Sequence, residues 1–186
     1  MNVYDFDNTI YAGDSTRDFY LYCIKKRPRS LVHLLKMAGI GCRYLMGKTT
    51  KTELKQRFFL FLQDVPDIDA EIKRFWDAHI DNIYEWYIKA RQPDDVIISA
   101  SPEFLLRPAC GRLGINMLIA SPVDKHTGVY SGLNCDGEEK VKQFKQQLPG
   151  SQVERFYSDS DSDLPMALLA REAFKIKGGK IFKWDI

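Results

Sequence analysis

The sequence predicts an α/β protein whose three-layer core is a parallel sheet flanked by helices, with an all-helical segment inserted after the first strand. Three polar clusters lie at the ends of three probable strands, and they begin at Asp5, Ser99 and Ser158. Strand and helix patterns alternate in the second half of the chain, which favours a parallel sheet. Residues 13–91 instead carry an almost continuous helical pattern. We therefore predict a core domain of residues 1–12 and 92–186 and a helical insertion of residues 13–91.

The first half of the chain is predicted to be one short strand, residues 2–5, followed by helices. Each predicted helix begins near a residue whose side-chain oxygen can accept a hydrogen bond from a free backbone amide. These residues are Ser15, Ser30, Thr50 and Asp67. The first helix ends near Lys26, before Pro28. The last is predicted to be one long amphipathic helix over residues 67–91.

Beyond residue 92 the pattern changes to alternating strands and helices. Residues 96–98 are β-branched, which is typical of a strand buried on both faces. Ser101 is expected to cap a helix whose first residue is Pro102. Further strands are predicted at 117–120, 153–157, 174–176 and 180–184, helices at 138–148 and 165–173, and a hairpin or irregular loop within 127–137.

The net charge of +2 over 186 residues is too small to indicate nucleic-acid binding. The charge is uneven, because eleven Lys or Arg and only two acids lie between Arg17 and Arg57. Four widely spaced cysteines form no metal-binding pair and fit reduced thiols. No signal-peptide pattern is visible, and the apolar stretch 31–46 is too short and too charged to span a bilayer. We expect a cytoplasmic protein that is a monomer or a homodimer.

Asp5 and Asp7 are the most informative pair in the sequence. Residues i and i+2 of an extended chain point the same way, so both carboxylates face one site while Phe6 turns to the core. Two like charges held close together need a cation, a shared proton or different roles. Parallel sheets bind ligands outside the carboxyl ends of their strands, where Asp5, Ser99 and Asp159 are all predicted to lie.

These clusters, in this order, resemble the four motifs of the haloacid dehalogenase superfamily of phosphatases. The first motif matches residues 5–9, the second Ser99, the third Lys140, and the fourth Asp159 with Asp163. The similarity is greatest to the branch typified by phosphoserine phosphatase. It implies a Rossmann-like core with a helical C1-type cap, and it covers almost the whole chain.

The resemblance implies a Mg²⁺-dependent phosphomonoester hydrolase acting on a small phosphorylated metabolite. Asp5 would be the nucleophile that forms an aspartyl-phosphate, and Asp7 would protonate the leaving group and then deprotonate water. Lys140 would stabilise the charge of the phosphoryl group. The implied phosphate-binding residues are Thr9, Ser99, Ala100 and Lys140. The implied metal-binding residues are Asp5, Asp7 through its carbonyl, Asp159 and Asp163, the last in the outer shell or orienting Lys140.

Several of these residues also fit structural roles. Asp163 is able to cap the helix predicted near Pro165, and Lys140 stands where a solvated helix would begin. The alternating acids from 159 to 163 also suggest a calcium loop. That interpretation fails because Leu164 replaces the required glycine and Ala170 the required glutamate.

Two residues of the insertion are candidates for substrate specificity. Asp14 stands nine positions after Asp5, where phosphoserine phosphatases of this family carry a glutamate. Arg57 matches their arginine, which could hold a carboxylate or a second phosphate. Asp14 is shorter than glutamate, and Ser99 is followed by Ala100 and Ser101 where that enzyme has paired glycines. The sequence therefore leaves the substrate open between a phosphoserine-like metabolite and other phosphate esters.

Three alternatives to this function remain. The apolar and basic stretch 31–46 would fit contact with a membrane surface in a phosphatase for a lipid phosphate, such as phosphatidylglycerophosphate. The same stretch would equally fit packing inside the cap or in a dimer interface. An aspartyl-phosphate can also pass its phosphoryl group to an alcohol, as in a phosphotransferase. A binding module without catalysis is disfavoured, because every charged position that the chemistry needs is present.

Overall fold

The computed structural model describes residues 1–28, 46 and 58–186 of the chain. Its strands are β1 (Asn2–Tyr4), β2 (Val96–Pro102), β3 (Met117–Ser121), β4 (Val153–Ser158), β5 (Ala170–Lys177) and β6 (Lys180–Lys183). Its α-helices are α1 (Ser15–Lys26), α2 (Ile68–His79), α3 (Glu85–Ala90), α4 (Glu103–Leu113), α5 (Glu138–Gln147) and α6 (Leu164–Ala167). Short 3-10 helices span Phe59–Asp64, Ile80–Asn82 and Asp161–Asp163.

The strands form one sheet in the order β3-β2-β1-β4-β5-β6. All neighbours are parallel except β5 and β6, which form an antiparallel hairpin at the edge. The chain runs outward from β1 to β3 on one side and then continues from β4 on the other. Because the strand order reverses at β1, a crevice is expected beyond its carboxyl end. The predicted fold class, an α/β Rossmann-like core, is confirmed.

Two apolar clusters cover the two faces of the sheet. Tyr4 and Ile97 face a cluster with α1, α2 and α4, whereas Val3, Val96 and Ile98 face a second cluster with α5 and α6. The alternation follows the two-residue period of a strand and explains why β2 is apolar on both sides. The helices thus form a layer on each face. The division into a core and a separate helical insertion stays a prediction.

The predicted helix over 67–91 is wrong, because it breaks after His79 and resumes at Glu85. The break lies against the segment that follows Asp7. The amide of Tyr84 donates to the carbonyl of Ile10 at 2.8 Å, and the amide of Ala12 donates to the carbonyl of Asn82 at 2.8 Å. Backbone pairing between these two segments replaces the helical hydrogen bonds that would otherwise continue.

Three smaller predictions also differ from the structure. Asp14, and not Ser15, caps α1, because its Oδ1 accepts from the amide of Arg17 at 2.8 Å. The helix predicted over 165–173 ends at Ala167, since the chain from Ala170 pairs with β4 instead. Ser101 does not cap α4, which follows Pro102 directly. The predicted helix beginning near Ser30, the capping box at Thr50 and most of the stretch 31–46 lie outside the described residues.

Within the described residues, no helix combines the length and hydropathy needed to cross a membrane.

Candidate active site

Four of the predicted motifs meet in one cleft of about 480 Å³ at the carboxyl edge of the sheet. Its lining includes Asp5, Asp7, Asp14, Ser99, Ala100, Lys140, Asp159 and Asp163 from the sequence prediction. It also includes Asn8, Thr16, Arg17, Phe58, Phe59, Ser101, Asp136, Ser160 and Ser162. The strand order explains this convergence, because β2 and β4 flank β1 and direct their following loops to the same edge.

Lys140 lies at the centre of the charged groups and is almost fully buried, with 2% of its surface exposed. Its Nζ donates to Oδ1 of Asp5 at 2.7 Å and to Oδ2 of Asp163 at 2.7 Å. Burial alone would lower the pKa of Lys140, but the two carboxylates outweigh that effect and raise it. Lys140 is therefore a cation held beside the predicted nucleophile.

Asp5 directly follows β1, and its environment combines burial with opposing charges. Burial raises the pKa of Asp5, the charge of Lys140 opposes this rise, and the charge of Asp163 adds to it. A further cation near Asp5 would favour its ionised form. Among the described residues, the charge of Lys140 therefore does not fully offset the effect of burial on the pKa of Asp5.

Asp7 is held through both of its carboxylate oxygens. Oδ1 accepts from the amide of Ser15 at 2.7 Å, and Oδ2 accepts from the hydroxyl of Ser101. Burial, with a smaller contribution from the charge of Asp14, raises the pKa of Asp7 to about 6, while the bonds from Ser101 and Ser15 act in the opposite direction. A carboxyl group with such a pKa is suited to donate and accept a proton near neutral pH.

Asn8 and Thr9 shape the loop after the nucleophile. Asn8 has a φ of +53°, a left-handed conformation that asparagine tolerates better than most residues. Thr9 is fully buried, and its hydroxyl donates to Oδ2 of Asp5 at 3.4 Å and accepts from the amide of Asp159 at 3.0 Å. These bonds connect the first and fourth motifs and hold the loop after Asp5 in place. Contact of Thr9 with phosphate stays a prediction.

Ser99 lies inside β2 rather than after its end, which corrects the predicted position. Ser99 pairs with Ala120 and Pro102 pairs with Ser121, so two extra residues bulge out of β2 between these pairs. The bulge directs Ala100 and Ser101 toward the cleft. The amide of Ser101 donates to the Ser99 hydroxyl at 3.1 Å.

Asp163 faces the interior of the site. Its Oδ2 accepts from Lys140 and also from the hydroxyl of Ser158 at 2.7 Å. Its side chain makes no capping bond to α6, so the alternative structural role is not seen. The other oxygen, Oδ1, is buried without a hydrogen-bond partner among the described residues. An unpartnered buried carboxylate oxygen is costly unless a cation or water binds it.

The implied Mg²⁺ fits this donor set. No group of three His, Cys, Asp or Glu side chains in the described parts of the chain forms a ready metal cluster. Mg²⁺ does not require one, since it keeps several waters and is commonly bound by one or two carboxylates. Asp5 and Asp159 line the cleft together, with the unpartnered oxygen of Asp163 nearby. Burial raises the pKa of Asp159, which a bound cation would counteract.

Sequence reasoning did not assign the hydroxyl groups that support the carboxylates. Ser158 ends β4 and donates to Asp163, and its place beside the fourth motif was the signal that could have indicated it. Thr16 contacts Ser101 across 85 positions of chain, and nothing local in the sequence indicates that contact. Of the two specificity candidates, Asp14 lines the cleft. Arg57 lies outside the described residues, so its role stays a prediction.

Comparison with known proteins identifies the family whose sequences this chain matches. The model of the family described as haloacid dehalogenase-like hydrolase matches residues 3–168. Among curated proteins, the chain is 26% identical to the protein CicA of Caulobacter vibrioides, over 97% of this chain and 86% of CicA. It is 28% identical to a histidinol-phosphatase of Neisseria meningitidis serogroup C, over 92% of this chain and 87% of that protein.

Solved structures share the fold. A protein of unknown function from Bordetella pertussis Tohama I superposes with a TM-score of 0.75 at 19% identity, covering 93% of this chain and 87% of that one. A phosphoserine phosphatase, solved as an analogue of its phospho-aspartyl intermediate, has a TM-score of 0.54 at 18% identity, covering 92% and 83%. At these identities the likeness is one of fold.

Proposed function

Because the chain belongs to the haloacid dehalogenase-like hydrolases, we propose that it is a Mg²⁺-dependent phosphomonoesterase that forms an aspartyl-phosphate on Asp5. The chain is a phosphatase of this family, so the proposal concerns its metal, its intermediate and its substrate. The predicted cytoplasmic location belongs to the same proposal.

The single observation that carries the proposal is the contact between Lys140 and Asp5. A carboxylate attacks a phosphate dianion poorly unless the negative charge is offset. The Lys140 ammonium lies 2.7 Å from Oδ1 of Asp5, so a phosphoryl group that reaches Asp5 also comes within reach of a buried cation. Ser99 and the bulge at Ala100 line the same cleft and add polar groups around the phosphoryl oxygens.

The proposed reaction has two steps. In the first, a carboxylate oxygen of Asp5 bonds to phosphorus, the bond from phosphorus to the leaving oxygen breaks, and Asp7 donates a proton to that oxygen. In the second, water attacks phosphorus, its proton passes to Asp7, and the bond between phosphorus and Asp5 breaks. Inorganic phosphate leaves, and both aspartates return to their starting states.

The residues that would hold Mg²⁺ are Asp5, Asp159 and the backbone carbonyl of Asp7, with Asp163 in the outer shell or orienting Lys140. When bound, the metal would offset the charge of the phosphoryl group and of the attacking carboxylate. The raised pKa of Asp5 and the unpartnered oxygen of Asp163 support this assignment.

The proposed substrate is a small phosphorylated metabolite. The volume of the cleft, about 480 Å³, suits a ligand of metabolite size. Two similar proteins, a phosphoserine phosphatase and a histidinol-phosphatase, suggest two leaving groups to test first, serine and histidinol. Both carry an ammonium group, which the carboxylate of Asp14 at the cleft would attract, and Arg57 is proposed to contact the rest of the leaving group.

The test is release of inorganic phosphate from a panel of esters, with Mg²⁺ and with a chelator. The panel contains phosphoserine, histidinol phosphate, sugar phosphates, a nucleotide and phosphatidylglycerophosphate in vesicles. We expect metal-dependent release from a small ester, and loss of release in Asp5→Asn but not in Asp69→Asn, which makes the same change at an exposed residue. Release in the Asp5→Asn variant would refute the mechanism. A preference for vesicles would favour the lipid alternative, and new esters formed with added alcohols would favour phosphotransfer.

A further inference from the structure

A chain of two hydroxyl groups, those of Ser101 and Thr16, extends from the carboxylate of Asp7. The Ser101 hydroxyl donates to Oδ2 of Asp7, and the hydroxyls of Ser101 and Thr16 are 2.8 Å apart. We propose that Ser101 and Thr16 are positioning residues that hold the carboxyl group of Asp7 for proton transfer to the leaving group. This inference rests on the proposed function, in which Asp7 is the general acid and base.

The position of Ser101 follows from the bulge in β2. The bulge in β2 removes it from pairing with β3 and directs it into the cleft. Its side chain makes no helix cap, because α4 follows Pro102. Only 6% of Ser101 is exposed, so its hydroxyl requires protein partners, and Asp7 and Thr16 supply them.

The second partner connects Asp7 to α1. Thr16 lies in the first turn of α1, and the amide of the adjacent Ser15 donates to Oδ1 of Asp7 at 2.7 Å. Both oxygens of Asp7 are therefore held, one by the N-terminus of α1 and the other by Ser101, which α1 supports through Thr16. Rotation of the Asp7 carboxyl group in either direction would break the bond from Ser15 or the bond from Ser101.

Hydroxyl groups suit this position better than amides or cations. A hydroxyl both donates and accepts, so Ser101 can bond Asp7 before and after Asp7 transfers its proton. When the Ser101 hydroxyl changes between donor and acceptor toward Asp7, the Thr16 hydroxyl can make the complementary change toward Ser101. Positioning within a fraction of an ångström matters for proton transfer, since a general acid must stay within hydrogen-bond reach of the leaving oxygen.

The first test compares two leaving groups. A simple alkyl phosphate needs a proton on its leaving oxygen, whereas p-nitrophenyl phosphate does not. We expect Ser101→Ala to slow turnover of the alkyl ester by about 10- to 100-fold. The KM for the alkyl ester and the first-turnover release of nitrophenol should stay near wild-type values. Thr16→Val should show the same selectivity with a smaller loss, and Ser101→Thr should restore most of the rate.

A matched control is available in the loop at 124–130. The Thr127 hydroxyl donates to Oδ1 of Asp124 at 2.8 Å in an exposed turn, so Thr127→Val also removes a hydroxyl bonded to a carboxylate. It should leave turnover of both substrates unchanged. Equal slowing of the first-turnover release of the alcohol and of nitrophenol by Ser101→Ala, or no slowing of either, would overturn the inference, because a positioning role for the general acid predicts a selective loss.

A second measurement does not depend on turnover. The amide proton of Ser15 reports on the position of Asp7, because it donates to Oδ1 of that residue. Its NMR chemical shift should change in Ser101→Ala and Thr16→Val but not in Thr127→Val. An unchanged Ser15 resonance in the first two variants would refute the inference. If the wild-type protein released no phosphate, the proposed function would fail, while this resonance would still decide how Asp7 is held.

Discussion

The ammonium nitrogen of Lys140 lies 2.7 Å from Oδ1 of Asp5, across 135 positions of the chain. The same nitrogen contacts Asp163, whose carboxylate also accepts from Ser158. These charges are almost completely removed from solvent. A buried ion pair contributes to stability only while every partner is present, because each charge alone would carry a large desolvation cost.

Replacing Lys140 by methionine should therefore destabilise the fold as well as stop catalysis. The change leaves Asp5 and Asp163 buried beside each other without their cation, and the expected loss in the free energy of unfolding is about 3–5 kcal/mol at neutral pH. Urea denaturation followed by circular dichroism would measure it. Lys142→Met, a change at an exposed lysine two positions away, should have no such effect.

The double variant Lys140→Met/Asp163→Asn distinguishes repulsion between Asp5 and Asp163 from the loss of packing by the Lys140 side chain. If the cost in Lys140→Met comes from unpaired acids, adding Asp163→Asn should recover part of the lost stability, since one of the two buried charges is removed. Additive losses in the double variant would contradict the electrostatic explanation.

Asp7→Asn should separate binding from chemistry. Asparagine keeps the size of the side chain but neither donates nor accepts the transferred proton, so turnover of an alkyl phosphate should fall by about 10²- to 10⁴-fold. Binding of inorganic phosphate, measured by calorimetry in the presence of Mg²⁺, should change little because Lys140 and Ser99 remain. Loss of phosphate binding in a folded Asp7→Asn protein would contradict this division of roles.

Metal binding can be tested at the fourth motif with two neighbouring acids. Asp159→Asn removes a proposed Mg²⁺ ligand and should raise the Mg²⁺ concentration for half-maximal activity at least about tenfold. Asp161→Asn makes the same change at an exposed acid that pairs with Lys175, and it should behave like the wild type. Phosphate release that persists in excess chelator would show that the proposed metal is not required.

Glu71 should make stability depend on pH in acid. Burial alone would raise the pKa of Glu71, but hydrogen bonds from Lys26 and Arg27 outweigh it and lower this pKa to about 2. A group whose folded pKa lies below its unfolded value of 4.5 stabilises the protein above that pH. This contribution is lost as the pH falls from about 4.5 toward 2.

The measurement is the urea midpoint at pH 7 and pH 3 for the wild type and for Glu71→Gln. The variant should be less stable at pH 7 by roughly 1–3 kcal/mol, the difference should shrink at pH 3, and activity of the folded fraction should be retained. Glu85→Gln removes an exposed acid that pairs with the exposed Lys89, and it should show neither effect. A difference between wild type and Glu71→Gln that does not vary with pH would contradict the assigned cause.

Local patterns in the sequence predicted the strands well. The β-branched run before Ser99 and the strands at 117–120 and 153–157 agree with β2, β3 and β4 to within a few residues. The long helix over 67–91 failed because a helical period says nothing about competing backbone partners. Those partners are Ile10 and Ala12, which lie 74 and 70 positions from Tyr84 and Asn82, to which they bond.

The sequence by itself determined the fold class, the family and most of the charged residues that line the cleft, because a parallel sheet brings the segments that follow its strands, at Asp5, Ser99 and Asp159, to one edge. Only the tertiary structure decided which side chains touch. Ser101 was predicted to be a helix cap, yet it bonds to Asp7 and Thr16. These two contacts join residues 94 and 85 positions apart, and they arise where the bulge of β2 meets the first turn of α1, which no local pattern encodes.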